Sequence, residues 1–132
     1  TNDNGMTATP QSQPPDMDAA YGIPINSDGY RDISVDQLVE MMKNKRFTLV
    51  NVHIPDQGDL PDTDLSIPFN EIAALSDELP SKDSPIVLYC RRGSMSTKAA
   101  SDLAGMGYTN VFELDGGFNA WRAAGNELLN TQ

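Results

Sequence analysis

The sequence is short of the residues from which many functional sites are built. Its 132 residues include one cysteine, Cys90, and one histidine, His53. A single cysteine excludes a disulfide within the chain and a metal site made of several cysteines. A single histidine excludes any site that needs two histidines from one chain. Thiol chemistry in this protein must therefore use Cys90.

Long apolar runs and positive charges are also scarce. No stretch approaches the roughly 18 consecutive apolar residues of a membrane-spanning helix, so we expect no transmembrane segment. Lysine and arginine number 9 against 19 aspartates and glutamates, which gives a formal net charge of −10. This charge argues against nucleic acid and against an anionic membrane surface as partners.

Two regions of the chain differ in composition. Residues 1–28 are mostly polar or proline and predict a flexible arm, whereas residues 29–132 can fill one core and predict one domain, which we expect to be a monomer. The chain begins with Thr1, which fits either an exported protein that has lost its signal or an artificially shortened chain. Because tethered domains often need a polar spacer, we slightly favour an extracytoplasmic over a cytoplasmic location.

Helical and strand patterns alternate along the domain. The segment "ISVDQLVEMMKNKR" has apolar residues at helical spacing, and Ser34 with Gln37 matches a capping box, which predicts a helix after Ser34. Further helices are predicted at 69–79, 94–106 and 116–125, and strands at 47–52, 85–90 and 111–114. This alternation predicts an α/β fold with a mostly parallel sheet.

Cys90 lies where a predicted strand meets a predicted helix. Ligands of parallel sheets bind at the carboxyl ends of the strands, so this position is at the functional edge of the sheet. Arg91, Arg92 and Gly93 follow, and the helix N-terminus adds unpaired N–H groups and a dipole that favours an anion. These features favour the nucleophilic thiolate form. A purely structural cysteine is the alternative, but it does not account for the basic turn.

Four segments resemble the motifs of rhodanese-type sulfurtransferases. They are "FTLVNVHIPDQGDLP", "LSIPFNEI", "CRRGSMSTKAA" and "ELDGGFNAWRAAG", and they stand in the family's order over about residues 30–127. The resemblance implies a rhodanese-like three-layer α/β/α domain with a mostly parallel, about five-stranded sheet. It also implies that Cys90 attacks a sulfur donor and holds the sulfur as a persulfide, without a metal or a cofactor.

The resemblance further implies partners and binding residues. A small sulfur-containing anion, such as thiosulfate or polysulfide, would be the donor, and a thiol, a cyanide-like compound or a protein would be the acceptor. The loop and first helical turn would bind the donor, and the residues concerned are Arg91, Arg92, Gly93, Ser94, Met95 and Ser96. His53, Gly116 and Gly117 are auxiliary candidates.

The sequence departs from the usual pattern of the family at four positions. Met95 stands where a polar or basic residue is common, and Asn51, His53 and Asp59 replace the family's usual Asp, Arg and His. These changes either leave the reaction unaffected or alter its substrate. The alternative function is therefore a persulfide carrier or sulfur-sensing module with little small-molecule turnover. A catalytically silent binding domain is a weaker alternative.

The spacing of residues disfavours two other kinds of site. A Cys-x5-Arg phosphatase loop needs arginine at the position of Ser96. A calcium loop of the EF-hand type needs a ligand spacing and a terminal Glu that the acidic segment lacks. The aspartates concerned are Asp56, Asp59, Asp62 and Asp64, and a solvated acidic loop explains them better.

Overall fold

The computed structural model describes residues 23–54 and 58–129, which form a parallel sheet flanked by helices. The strands are β1 (Arg31–Ile33), β2 (Thr48–Asn51), β3 (Leu65–Ser66), β4 (Ile86–Tyr89) and β5 (Val111–Leu114). The α-helices are α1 (Val35–Met42), α2 (Ser94–Gly105) and α3 (Gly117–Ala123). The five strands pair in the order β1-β5-β4-β2-β3, and every pair is parallel. The predicted α/β fold is confirmed.

The sheet is covered on both faces. In β4, Val87 and Tyr89 belong to the core cluster that contains the buried side chains of α1 and α3. Ile86 and Leu88 belong to the cluster that contains the buried side chains of α2. Alternate residues of a strand point to opposite faces, so a strand with both faces buried is apolar throughout. This is the three-layer α/β/α arrangement that the family resemblance implied.

Helix α1 begins as its sequence pattern predicts. Gln37 N donates to Ser34 Oγ at 3.2 Å, and Ser34 N donates to Gln37 Oε1 at 2.8 Å. Both bonds of the capping box are therefore present. Leu38 and Met41 lie on the buried face of the helix. The predicted position and cap of α1 are confirmed.

The segment at residues 69–79 differs from its prediction. It forms a series of turns that ends in a short 3-10 helix, Ser76–Glu78, instead of an α-helix. Phe69 N donates to Val52 O at 2.9 Å, and Ile72 and Leu79 are buried in the α2-side core. Anchoring to the chain after β2 and the burial of these side chains override the weak helical pattern. The sequence analysis also missed β1 and β3, which have 3 and 2 residues.

The core extends into the predicted arm. Ile23 is 2% exposed, and its carbonyl oxygen accepts a hydrogen bond from Arg31 Nε at 3.1 Å. The first described core residue therefore precedes residue 29, and residues 1–22 of the predicted arm lie outside the described residues. None of the helices in the described ranges has both the length and the apolar composition of a membrane span.

Candidate active site

The carboxyl ends of three neighbouring strands bring the predicted site residues to one edge of the sheet. His53 follows β2, Cys90 follows β4 directly, and Gly116 and Gly117 follow β5. Strands β2, β4 and β5 are adjacent and parallel, so their carboxyl ends meet at the same edge. The turn after β4 and the start of α2 then place Cys90 against a helix N-terminus.

The sulfur of Cys90 is surrounded by hydrogen-bond donors. Gly93 N lies 2.9 Å from Sγ, and Ser96 Oγ donates to Sγ at 3.4 Å. No side chain caps α2, and the described residues provide no acceptor for the backbone N–H groups of Ser94 and Met95. Unpaired N–H groups at a helix N-terminus stabilise an anion. The arrangement therefore suits a thiolate and a second anion beside it.

The Cys90 loop rests on the N-terminus of α3. Phe118 N donates to Cys90 O at 2.8 Å, and Asn119 N donates to Arg91 O at 3.0 Å. A Cβ atom on Gly117 would lie 2.3 Å from Cys90 O, so only glycine permits this approach. Gly116 and Gly117 were predicted as auxiliary candidates, and the structure places Gly117 beneath the loop, where it supports the backbone.

A cavity of about 320 Å³ opens beside the sulfur. It is lined by His53, Cys90, Arg91, Arg92, Ser94 and Met95. Cys90 is 1% exposed and forms part of the cavity wall, whereas Arg91 and Arg92 are exposed. The structure thus brings the predicted loop residues together with His53, whose ring packs edge-on against Phe118 at a centroid distance of 5.6 Å.

Asn51 organises the chain after β2 and does not line the cavity. Its side chain is buried, and its Nδ2 donates to Gly58 O and to Asp59 Oδ1, both at 2.9 Å. Asn51 Oδ1 accepts from His53 N at 2.9 Å. Two of the four departures from the family pattern, Asn51 and Asp59, therefore bond to each other. His53 and Met95 are the two departures that reach the cavity.

Glu113 is a site residue that the sequence analysis missed. It is 2% exposed, and its Oε2 accepts a hydrogen bond of 2.6 Å from Ser96 Oγ. Burial, with a hydrogen bond and charge repulsion from Asp115, raises the pKa of Glu113 to about 8. The signal in the sequence is an acidic residue within the strand "VFEL", on the same face as Val111, which packs in the α2-side core.

Glu113 lies among other carboxylates. Oxygens of Asp32, Glu113 and Asp115 lie within 4.8 Å of one another, and this is the one group of three or more metal-binding side chains in the described part of the chain. We assign no metal to it, because Asp32 and Asp115 are exposed and exposed acidic groups commonly cluster without an ion.

The acidic segment after β2 lies apart from the cavity. Asp64 accepts hydrogen bonds from Lys45 Nζ at 2.5 Å and from Leu49 N at 2.8 Å. Asp59 bonds to Asn51, and Asp62 has a positive φ of 65°. Asp56 lies outside the described residues. Two of these aspartates are therefore tied to the protein by hydrogen bonds.

The chain is similar to known proteins in sequence and in fold. Residues 34–124 match the rhodanese-like domain family. The chain is 32% identical over 96 residues to the thiosulfate sulfurtransferase GlpE of Shewanella oneidensis, a match that covers 72% of this chain and 95% of that one. It is 39% identical over 84 residues to a sulfurtransferase of Allochromatium vinosum, with 61% and 77% covered. A rhodanese-related protein from Thermoplasma volcanium has the same fold, with a TM-score of 0.66, 24% identity and coverage of 76% and 98%.

Proposed function

Because this chain belongs to the rhodanese-like domain family, we propose that it is a sulfurtransferase that carries sulfur on Cys90. The observation that carries the proposal is the position of the Cys90 sulfur. It lies 2.9 Å from Gly93 N at the start of α2 and in the wall of a cavity lined by two arginines. This position combines an anion-stabilising backbone with room for a small substrate.

Formation of the thiolate is the first requirement of the reaction. The Gly93 amide and the Ser96 hydroxyl donate to Sγ, and the N-terminus of α2 adds its dipole. Hydrogen bonds to the charged form of a group and a helix N-terminus both favour ionisation of cysteine. The thiolate is the reactive form of the only cysteine in the chain.

A small sulfur anion suits the charges of the cavity. Arg91 and Arg92 give a cationic rim to a protein with a net charge of −10, and the Ser94 and Met95 amides add donors. The thiolate attacks the outer sulfur of thiosulfate, the S–S bond breaks, and sulfite leaves with the electron pair. Cys90 then holds a persulfide, and the thioether of Met95 offers the sulfur a polarizable apolar contact.

The sulfur must leave to a molecule outside the chain. No second cysteine is present to form a resolving disulfide. An acceptor such as cyanide attacks the outer sulfur of the persulfide, the S–S bond breaks, and the electron pair returns to Cys90 as the thiolate. A thiol or a cysteine of another protein can accept the sulfur by the same displacement.

The test compares the wild-type protein with Cys90→Ser. Each protein is incubated with thiosulfate or with polysulfide, and its intact mass is recorded. Cyanide is then added and thiocyanate is quantified. We expect the wild-type protein to gain one sulfur and to release thiocyanate over repeated turnovers. Cys90→Ser should show neither result while retaining the wild-type thermal unfolding curve.

The other outcomes are equally informative. Sulfur loading without turnover in cyanide would support a persulfide carrier that passes sulfur only to a protein partner. Absence of loading from both donors would contradict the proposal and leave a binding domain. Loading that persists in Cys90→Ser would show that the sulfur is not held on Cys90.

A further inference from the structure

Three buried side chains form a hydrogen-bonded chain beneath the active-site loop. Ser96 Oγ lies 3.4 Å from Cys90 Sγ and 2.6 Å from Glu113 Oε2. Exposure is 1% for Cys90, 0% for Ser96 and 2% for Glu113, so the bond between Ser96 and Glu113 is shielded from water. A Cβ on Gly93 would lie 3.5 Å from Glu113 Oε2, which places this carboxyl group directly against the loop.

We propose that Glu113 is a positioning residue that determines where the Ser96 hydroxyl donates, and that it thereby tunes the reactivity of Cys90. A serine hydroxyl carries one hydrogen. Ser96 Oγ has three acceptors within reach, which are Cys90 Sγ, Gly93 O and Glu113 Oε2. It can donate to only one of them fully at a time.

The protonation state of Glu113 selects the acceptor. A neutral carboxyl group is a weak acceptor and can itself donate, so the Ser96 hydrogen is available to the Cys90 thiolate. When Glu113 loses its proton to solvent, the carboxylate becomes the stronger acceptor and takes the Ser96 hydrogen. The thiolate then loses a donor and gains a buried negative neighbour. Both changes make it more nucleophilic.

The surroundings of Glu113 place this change near neutral pH. Burial first, and then Asp115 and Asp32, raise the pKa of Glu113 to about 8. The titratable groups that face it are Asp32 on β1, Tyr30 before β1, Asp115 after β5 and Cys90 after β4. All of these are neutral or negative, so they oppose a second negative charge at Glu113.

The inference depends on the proposed function only in taking Cys90 as the nucleophile, and it can be tested without a sulfur donor. The readout is the rate of alkylation of Cys90 by iodoacetamide as a function of pH, in the full chain. The alkylation rate rises in a first step as the thiolate forms. We expect it to rise again in a second step with a midpoint near pH 8, where Glu113 titrates. A tenfold rise in thiolate basicity raises the rate constant about threefold.

Glu113→Gln removes the titration and keeps the size of the side chain. We expect it to abolish the second step. Glu71→Gln, the same change at an exposed position, should keep both steps. A second step that persists in Glu113→Gln would overturn the proposal, and so would a wild-type profile with a single step.

Ser96→Ala separates the hydroxyl from the charge of Glu113. In the Ser96→Ala background, Glu113→Gln should change the alkylation rate above the step by less than it does in the wild-type background. Equal changes in the two backgrounds would show that Ser96 does not carry the effect. That result would overturn the role given to its hydroxyl.

A direct measurement covers the case in which Glu113→Gln does not fold. The carboxyl carbon of Glu113 is titrated by NMR in the wild-type protein, before and after alkylation of Cys90. Coupling between two sites is reciprocal, so removing the thiolate must lower the titration midpoint of Glu113. An unchanged midpoint would overturn the proposal, whether or not the protein transfers sulfur.

Discussion

Helices α1 and α2 begin in opposite ways. At α1, Ser34 and Gln37 form both bonds of a capping box. At α2, the N-cap is Gly93, which has a φ of 113° and no side chain to bond the helix amides. Its own N–H donates to Cys90 Sγ instead. One helix end satisfies its donors internally, and the other leaves them available beside the only cysteine.

The difference separates a helix end that stabilises the fold from one that serves chemistry. A side-chain cap typically contributes about 1 kcal/mol to stability, and α2 lacks that contribution. In exchange, its first amides and its dipole remain available to a thiolate or to a bound anion. Helix α3 is a third case, because its amides donate to the carbonyl oxygens of Cys90 and Arg91. Helix α3 therefore holds the loop that leads into the uncapped start of α2.

Gly117→Ala should have the largest effect, because it breaks the support of the loop. The new Cβ would lie 2.3 Å from Cys90 O and 2.6 Å from Arg91 O, so the loop must move away from α3. We expect the free energy of unfolding to fall by about 3 kcal/mol, the upper part of the range for overpacked sites. The rate of sulfur loading onto Cys90 should fall by at least about 100-fold, because the loop loses its hydrogen bonds from Phe118 N and Asn119 N. Chemical denaturation measures the change in the free energy of unfolding, and intact mass recorded over time measures sulfur loading.

Gly105→Ala is the matched control for that substitution. Gly105 lies at the end of α2, and a Cβ there would meet no atom within 4 Å. Alanine should therefore stabilise the protein by about 0.5–1 kcal/mol and leave sulfur loading unchanged. Wild-type stability and loading in Gly117→Ala would show that the loop does not depend on its contact with α3.

Gly93→Ala should have an intermediate effect that falls more on reactivity than on stability. The nearest atom to the new Cβ would be Glu113 Oε2 at 3.5 Å, so there is room for the methyl group. The φ of 113° is strained for alanine by about 1–3 kcal/mol, and rotation of the peptide relieves that strain. Rotation moves the Gly93 amide away from Sγ, and loss of that bond should lower sulfur loading about tenfold.

The alkylation rate of Cys90 at neutral pH gives an independent measurement of the same effect. It should fall together with sulfur loading if the Gly93 amide stabilises the thiolate. Unchanged loading and alkylation in a folded Gly93→Ala protein would show that this amide does not activate Cys90. The difference between the starts of α1 and α2 would then affect the fold but not the reactivity of Cys90.

The sequence allowed the parts of the fold that depend on local patterns to be predicted. The capping residues of α1, the apolar run of β4 and the position of Cys90 before α2 all follow from short stretches of chain. Strands β1 and β3 were missed because 3 and 2 residues carry too little periodicity. The helix predicted at 69–79 was wrong because tertiary contacts, which periodicity does not report, determine the shape of that segment.

The site could be predicted only where its residues are close in the chain. The residues from Cys90 to Ser96 form one loop and one helical turn, and their pattern was visible. Glu113 reaches Ser96 from a different strand, across 17 positions of the sequence. Its burial and its raised pKa depend on how β5 packs against α2, which no single stretch of sequence records. The signal available in the sequence was the polar residue Glu113 in "VFEL". Because successive side chains of a strand point to opposite faces, Glu113 lies on the same face of the sheet as Val111.

Ser34→Ala should have the smallest effect and should act on stability alone. It removes the bond from Gln37 N to Ser34 Oγ, one half of the capping box. We expect the free energy of unfolding to fall by about 1 kcal/mol, with sulfur loading and alkylation of Cys90 unchanged. Ser101→Ala, on the exposed face of α2, is the control and should stabilise the protein by a few tenths of a kcal/mol, because alanine is the better helix former. A loss of Cys90 reactivity in Ser34→Ala would mean that the capped end of α1 is coupled to the site across the sheet, and the division between a stabilising and a functional helix end would fail.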